Sequence, residues 1–162
     1  MGAAEKAVHR FEHDHSCAQA VFSVLAEDLG MDYSTAVKVS CGFGGGMGRM
    51  AGTCGAVTGG IMALGLRYGG VDAESKEKTY ELVREFANRF KARHGSLECK
   101  TLLDCDISTP EGLEYSRKQD LHSKVCTNLV RDAAEIAEEL CTYLSIILRE
   151  AGTDRQRGRE CD

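Results

Sequence analysis

Gly42-Phe43-Gly44-Gly45-Gly46-Met47-Gly48-Arg49-Met50-Ala51-Gly52-Thr53-Cys54-Gly55-Ala56-Val57-Thr58-Gly59-Gly60-Ile61-Met62-Ala63-Leu64-Gly65-Leu66 is the stretch on which the fold of this chain turns. Twelve of the 29 residues from 42 to 70 are glycine. The first part, Gly42 to Gly48, predicts a loop that takes positive φ or passes close to another part of the chain. In the second part Ala51, Gly55, Gly59 and Ala63 recur every four residues, which predicts the small-residue face of a helix. Glycine inside a helix costs about 1 kcal/mol relative to alanine, so such a helix needs close packing on that face and is expected at the centre of the fold. The apolar run Ala51 to Leu66 is 16 residues long, short of the roughly 20 that span a bilayer, and reads as a buried helix.

Outward from this stretch the chain is helical in pattern, with one proline in 162 residues. Val21, Leu25 and Leu29 form one stripe of a helix from about Cys17 to Leu29, ended by Gly30. Ser34 is expected to cap a short helix through Val37 to Cys41. A long helix is expected from Ala73, capped by Asp72, to Arg93, burying Leu82, Phe86 and Phe90 and stopping at Gly95. Another runs from Lys124 to about Glu150 through Leu129, Ala133, Ile136, Leu140, Leu144 and Ile147. The segment from Asp104 to Asp120 reads as an exposed polar loop. The expected fold is all-α, a single-domain helical bundle over residues 1–150, followed by a charged, flexible tail at 151–162. The rival is an α/β domain with a strand from Val37 to Phe43.

Composition bounds the function. A formal net charge of −5, with 28% charged residues, argues against nucleic acid and anionic membranes, which require clustered positive charge. The densest basic stretch, Arg84, Arg89, Lys91 and Arg93, is interleaved with Glu81 and Glu85 and reads as a solvated helix face. Met1-Gly2-Ala3-Ala4-Glu5-Lys6 runs into charged residues without the apolar segment of a secretory leader, so a cytoplasmic protein is expected. In a reducing compartment the chain's eight cysteines point to metal binding or redox chemistry rather than to a disulfide framework.

Four of those cysteines follow residues of helix-capping type. Ser16 precedes Cys17 in the capping-box pattern Ser16-Cys17-Ala18-Gln19; Thr53 precedes Cys54; Ser96 lies three residues before Cys99 and Ser123 three before Cys126. A thiol in a first helical turn sees unpaired N–H groups and the positive end of the macrodipole, so the expectation is a lowered thiol pKa. Gly46-Met47-Gly48-Arg49-Met50-Ala51 fits a permissive dinucleotide-loop pattern, but lacks a preceding strand and a βαβ setting, and no Walker sequence is present. There is no CxxC, CxxCH or HExxH. A site shared by Cys17, Cys54, Cys99 and Cys126 has to be assembled by packing distant helix starts together.

The run Gly52-Thr53-Cys54-Gly55-Ala56-Val57-Thr58-Gly59, with Cys17-Ala18-Gln19-Ala20-Val21 upstream and Cys99-Lys100-Thr101-Leu102-Leu103 and Cys126-Thr127-Asn128-Leu129-Val130 downstream, resembles the redox-active protein family named for its C, CGAxxG, C, C pattern. The likeness extends from about Ser16 to Leu140. It implies a small redox-active protein, similar to part of the split-Soret cytochromes, with Cys17, Cys54, Cys99 and Cys126 as the characteristic four. Haem attachment is not implied, because CxxCH is missing. Cys41, Cys105, Cys141 and Cys161 fall outside the pattern.

Four thiolates together need a cation or a cluster to offset their repulsion. The first expectation is therefore an iron–sulfur cluster bound by all four for electron transfer or redox sensing, with Gly55 and Ala56 N–H groups donating to sulfur. The alternatives are a zinc-stapled interaction module and a metal-free thiol/disulfide oxidoreductase. An unnamed redox partner is implied, and the small-residue face makes a homodimer plausible. His9, His13 and His15 read as surface histidines, with His9 and His13 at i, i+4 spacing that could serve a second metal site; His94 and His122 lie near Cys99 and Cys126 in sequence. Phe43, Met47, Met50 and Met62 are expected to wall the pocket.

Overall fold

The computed structural model describes residues 1–157, with side chains through Thr142. The protein is an all-α single domain, with no strand among the described residues. Helix α1 is Ala3–Phe11, α2 Cys17–Asp28 and α3 Tyr33–Ser40. A 3-10 turn (Cys41–Phe43) and a helical turn (Gly44–Met47) follow. Helix α4 is Gly55–Tyr68, α5 Ala73–His94, α6 Cys99–Leu103 and α7 Pro110–Lys118. A π turn (His122–Cys126) leads into α8, Thr127–Arg157. Cys161 and the end of the expected tail, 158–162, lie outside the described residues.

The glycine-rich helix α4 is the centre, packed against α2, α5 and α8, and its glycines show why. A methyl group at Gly59 would lie 2.9 Å from the Ala18 carbonyl oxygen and 3.1 Å from Val21 Cβ, and one at Gly60 would lie 2.5 Å from the Phe86 ring. The small face expected to pair helices is thus filled from within the chain, by α2 and by Phe86 of α5. The core formed around it holds Val21, Leu25, Phe86, Phe90, Val130 and Ile136, all buried. Arg93 clamps α5 to α8 through Asp132 and Glu135.

Several expected boundaries hold and others shift. Asp72 caps α5 by accepting from Ser75 N at 2.8 Å, and Gly95 ends it at φ 82°. Helix α3 is capped by Asp32, which accepts from Thr35 N, rather than by Ser34. Ala51 lies outside α4, at φ 57°. The segment expected as a polar loop contains α7, started by Thr109, which accepts from Gly112 N at 3.0 Å, with Pro110 at the first helical position, where its missing N–H costs nothing. The glycine loop does take positive φ, and more of it than glycine alone requires: Gly45, Gly46, Met47, Gly48 and Arg49 are all left-handed.

Candidate four-cysteine site

Four separate elements deliver the four named cysteines to one region. Cys17 is the first residue of α2, behind the capping box in which Ser16 Oγ accepts from Gln19 N and the Gln19 side chain accepts from Ser16 N. Cys54 is itself the N-cap of α4. Cys99 opens α6, whose N-cap is Glu98. Cys126 ends the π turn. The Cys54 and Cys99 backbones are laced together: Cys54 N donates to Leu97 O at 2.8 Å and Cys99 N to Gly52 O at 2.6 Å, around an antiparallel bridge between Thr53 and Glu98.

The capping roles expected of three residues are corrected by this geometry. Ser96 accepts from Glu98 N outside α6, Ser123 donates to the left-handed Asp120 from within the π turn, and Thr53 lies in the bridge. Only Ser16 caps as the sequence suggested.

Cys17 is electrostatically coupled to Cys126, Cys54 and Cys99. Cys54 is buried in the core beside α4, and Cys99 is buried where α6 meets the π turn. A cavity of about 200 Å³ opens on Cys17, Cys99 and Cys126. Its walls are Phe11, Leu103, Ile107 and Leu113, not the expected methionines; Met50 is 69% exposed. His122 lines the cavity with its ring stacked on Phe11 at 4.0 Å. His94 does not line it, and stands 2.8 Å from Asp132. His9 and His13 stack on each other at 4.3 Å.

Burial reverses the expected titration. The Cys17 pKa is raised, first by the neighbouring Cys126 thiol, which favours the protonated form, and then by burial. Burial pushes Cys54 up to about 12, and burial together with the neighbouring Cys54 and Cys17 pushes Cys99 up to about 12. The helix-start amides act in the expected sense but lose. N–H groups of Ala56 and Val57 reach the Cys54 sulfur, and those of Cys17 and Gly45 reach the Cys17 sulfur, each lowering the pKa. Desolvation of a thiolate outweighs a few backbone dipoles.

Thiolates tuned by hydrogen bonds to sulfur are the ligands of iron–sulfur groups, and of the four thiols Cys17, Cys99 and Cys126 line the apolar-walled cavity while Cys54 lies buried in the core. Among the described residues no three His, Cys, Asp or Glu side chains are gathered tightly enough to enclose a metal ion. Zinc and an iron–sulfur group alike need the thiols drawn together on loading. The residues sequence reasoning passed over are Gly45, whose amide serves Cys17, and Arg49, whose side chain lies across Gly45; the positive charge inside a glycine-rich run was the available signal.

The family model described as "Putative redox-active protein (C_GCAxxG_C_C)" matches residues 15–140. The chain belongs to this family. Within the family's span this chain spells the central motif Cys54-Gly55-Ala56-Val57-Thr58-Gly59, and Gly55 has a local reason: a methyl group there would lie 3.1 Å from Ala18 N and 3.2 Å from Cys17 Cβ. No curated protein and no solved structure matches the chain. No described helix is long and apolar enough to cross a membrane.

Proposed function

We propose that this redox protein binds an iron–sulfur cluster through Cys17, Cys54, Cys99 and Cys126 and uses it for electron transfer or redox sensing. The reading is supported by one observation above all: Cys17, Cys99 and Cys126, delivered by separate elements, line one apolar-walled cavity, with Cys54 electrostatically coupled to Cys17 and Cys99. A bound cluster supplies one-electron chemistry. The chain's own residues bind it as thiolates, stabilise its charge with backbone amides, and exclude water with Phe11, Leu103 and Ile107. Because the free thiols are held protonated, loading is coupled to proton release and strengthens as pH rises.

The placement of Cys17 and Cys126 together on the wall of one cavity favours one second reading, a metal-free dithiol. In it these two thiols join as a disulfide, giving two electrons and two protons to a disulfide acceptor, which leaves as two thiols. Strictly anaerobic purification separates the readings. Iron and acid-labile sulfide in the purified protein, with a visible absorption that bleaches on reduction, are expected. Zinc, or a colourless metal-free protein that stays so after anaerobic reconstitution with iron and sulfide, overturns the cluster.

A further inference from the structure

A second cavity, of about 380 Å³, opens in front of the first. Ser16, Gly45 and Ile107 are walls of both. The outer cavity is built differently from the apolar inner one. Arg49 lines it and has no carboxylate partner among the described residues. Beside it stand Gly44, Gly45 and the exposed thiol of Cys41. The space depends on the absence of side chains: a methyl group at Gly44 would lie 2.7 Å from Ser16 Cβ, and one at Gly45 would lie 2.9 Å from Arg49 Cγ. Arg49, an exposed residue, thus lines an open cleft that shares three walls with an apolar cavity lined by three thiols.

A guanidinium presents a planar fork of N–H donors matched to a carboxylate, and an unpaired one at a cavity wall is a recognition group for an anion. The adjoining apolar chamber suits the hydrocarbon part of the same molecule. We propose that the outer cavity binds small organic carboxylates, with the carboxylate on Arg49 and the apolar portion directed past Gly45 toward Cys17, Cys99 and Cys126. The protein would then hold a small acid against its redox site rather than act as a bare carrier. The binding itself requires no cofactor, so it stands or falls apart from the cluster.

Cys41 is a built-in reporter. Its thiolate displaces iodide from iodoacetate or from iodoacetamide, forming an S–CH2 bond while the thiol proton passes to solvent. The two reagents differ in little but the carboxylate. Any effect of the surroundings on Cys41 ionisation cancels in the ratio of their rates, so the ratio reports recognition of the acid. With the intact protein at constant ionic strength and Cys41 alkylation read by peptide mass spectrometry, the iodoacetate-to-iodoacetamide ratio is expected to exceed that of the urea-unfolded chain by about tenfold, the worth of one hydrogen bond to a charged group. Arg49→Gln should return the ratio to the unfolded value. In the unaltered protein, excess butyrate should slow iodoacetate selectively and butyramide should not. A ratio equal to that of the unfolded chain, a ratio that survives Arg49→Gln in a variant with native helicity, or equal effects of butyrate and butyramide would each overturn the proposal. A cluster-containing protein with no carboxylate preference would keep the redox reading and end this one.

Discussion

Replacing Gly59 and, separately, Gly65 by alanine is the most direct test of the packing that positions the site. Both residues lie in α4, and in both the change gains about 1 kcal/mol of helix propensity. At Gly65 nothing lies within 4 Å of the new methyl group, so the gain stands and stability rises by about that amount. At Gly59 the methyl group would meet the Ala18 carbonyl oxygen at 2.9 Å and Val21 Cβ at 3.1 Å. These are backbone and a β-carbon of α2, so neither can rotate away and the helices must separate. Overpacking of this kind costs about 1–3 kcal/mol. The propensity term cancels between the variants, leaving a difference of about 1–3 kcal/mol that reports the α2–α4 contact alone. At this size 1 kcal/mol moves the melting temperature by about 2–4 °C. Urea unfolding followed by circular dichroism, with the slope checked for constancy, gives the number. If both variants gain stability equally, α2 does not bear on α4 at Gly59, and the close approach of Cys17 to Gly55 one turn away loses its support.

Two further predictions concern the thiols. Cys54→Ser should abolish retention of iron and sulfide, whereas Cys141→Ser should retain both, because Cys141 sits beside Tyr68 at the far end of α4; equal metal content in the two variants would refute a site that includes Cys54. In the metal-free protein, the contribution of Cys54 and Cys99 to stability should be constant below pH 9.0, the ordinary thiol value, and be lost between there and about 12, because both bind their protons more tightly folded than unfolded. A urea midpoint that rises or stays level across that interval would show that these thiols are not desolvated.

The fold was legible because its signals are local. The stripe Val21, Leu25 and Leu29, the Asp72 cap and the Gly95 stop are set by residues within a turn of one another, and the four-residue glycine spacing announced a close helix pair. Ser16 was legible for the same reason, since a capping box is written in four consecutive residues. Of the other three cysteines placed at helix starts by the same rule, Cys99 does open α6, but behind Glu98 rather than Ser96. Cys54 became the cap itself, because Thr53 is drawn into a bridge with Glu98. Cys126 came to lie in a π turn, a deviation without a composition of its own. The direction of the thiol pKa shifts was not legible, because it is decided by burial, and burial is a sum over distant segments. Phe11 of α1 and Leu103 of α6, which both wall the thiols, lie 92 residues apart in the sequence.

The left-handed residues after Gly44 expose what the site demands of the chain. Glycine at 45, 46 and 48 adopts this conformation freely. Met47 at φ 64° and Arg49 at φ 65° do not; each costs about 1–2 kcal/mol relative to glycine. Met47→Gly and Arg49→Gly therefore relieve the same strain, offset in part by the roughly 0.4–1 kcal/mol of extra freedom that glycine adds to the unfolded chain. Both variants should match or exceed the parent in stability, by up to about 1.6 kcal/mol. They should diverge in the alkylation ratio at Cys41, which Met47→Gly leaves in place and Arg49→Gly removes. That divergence is the signature of a side chain kept for binding rather than for folding. If Arg49→Gly is instead less stable than Met47→Gly by 1 kcal/mol or more, the Arg49 side chain is packing that holds the turn together, and a structural role then accounts for its place over Gly45.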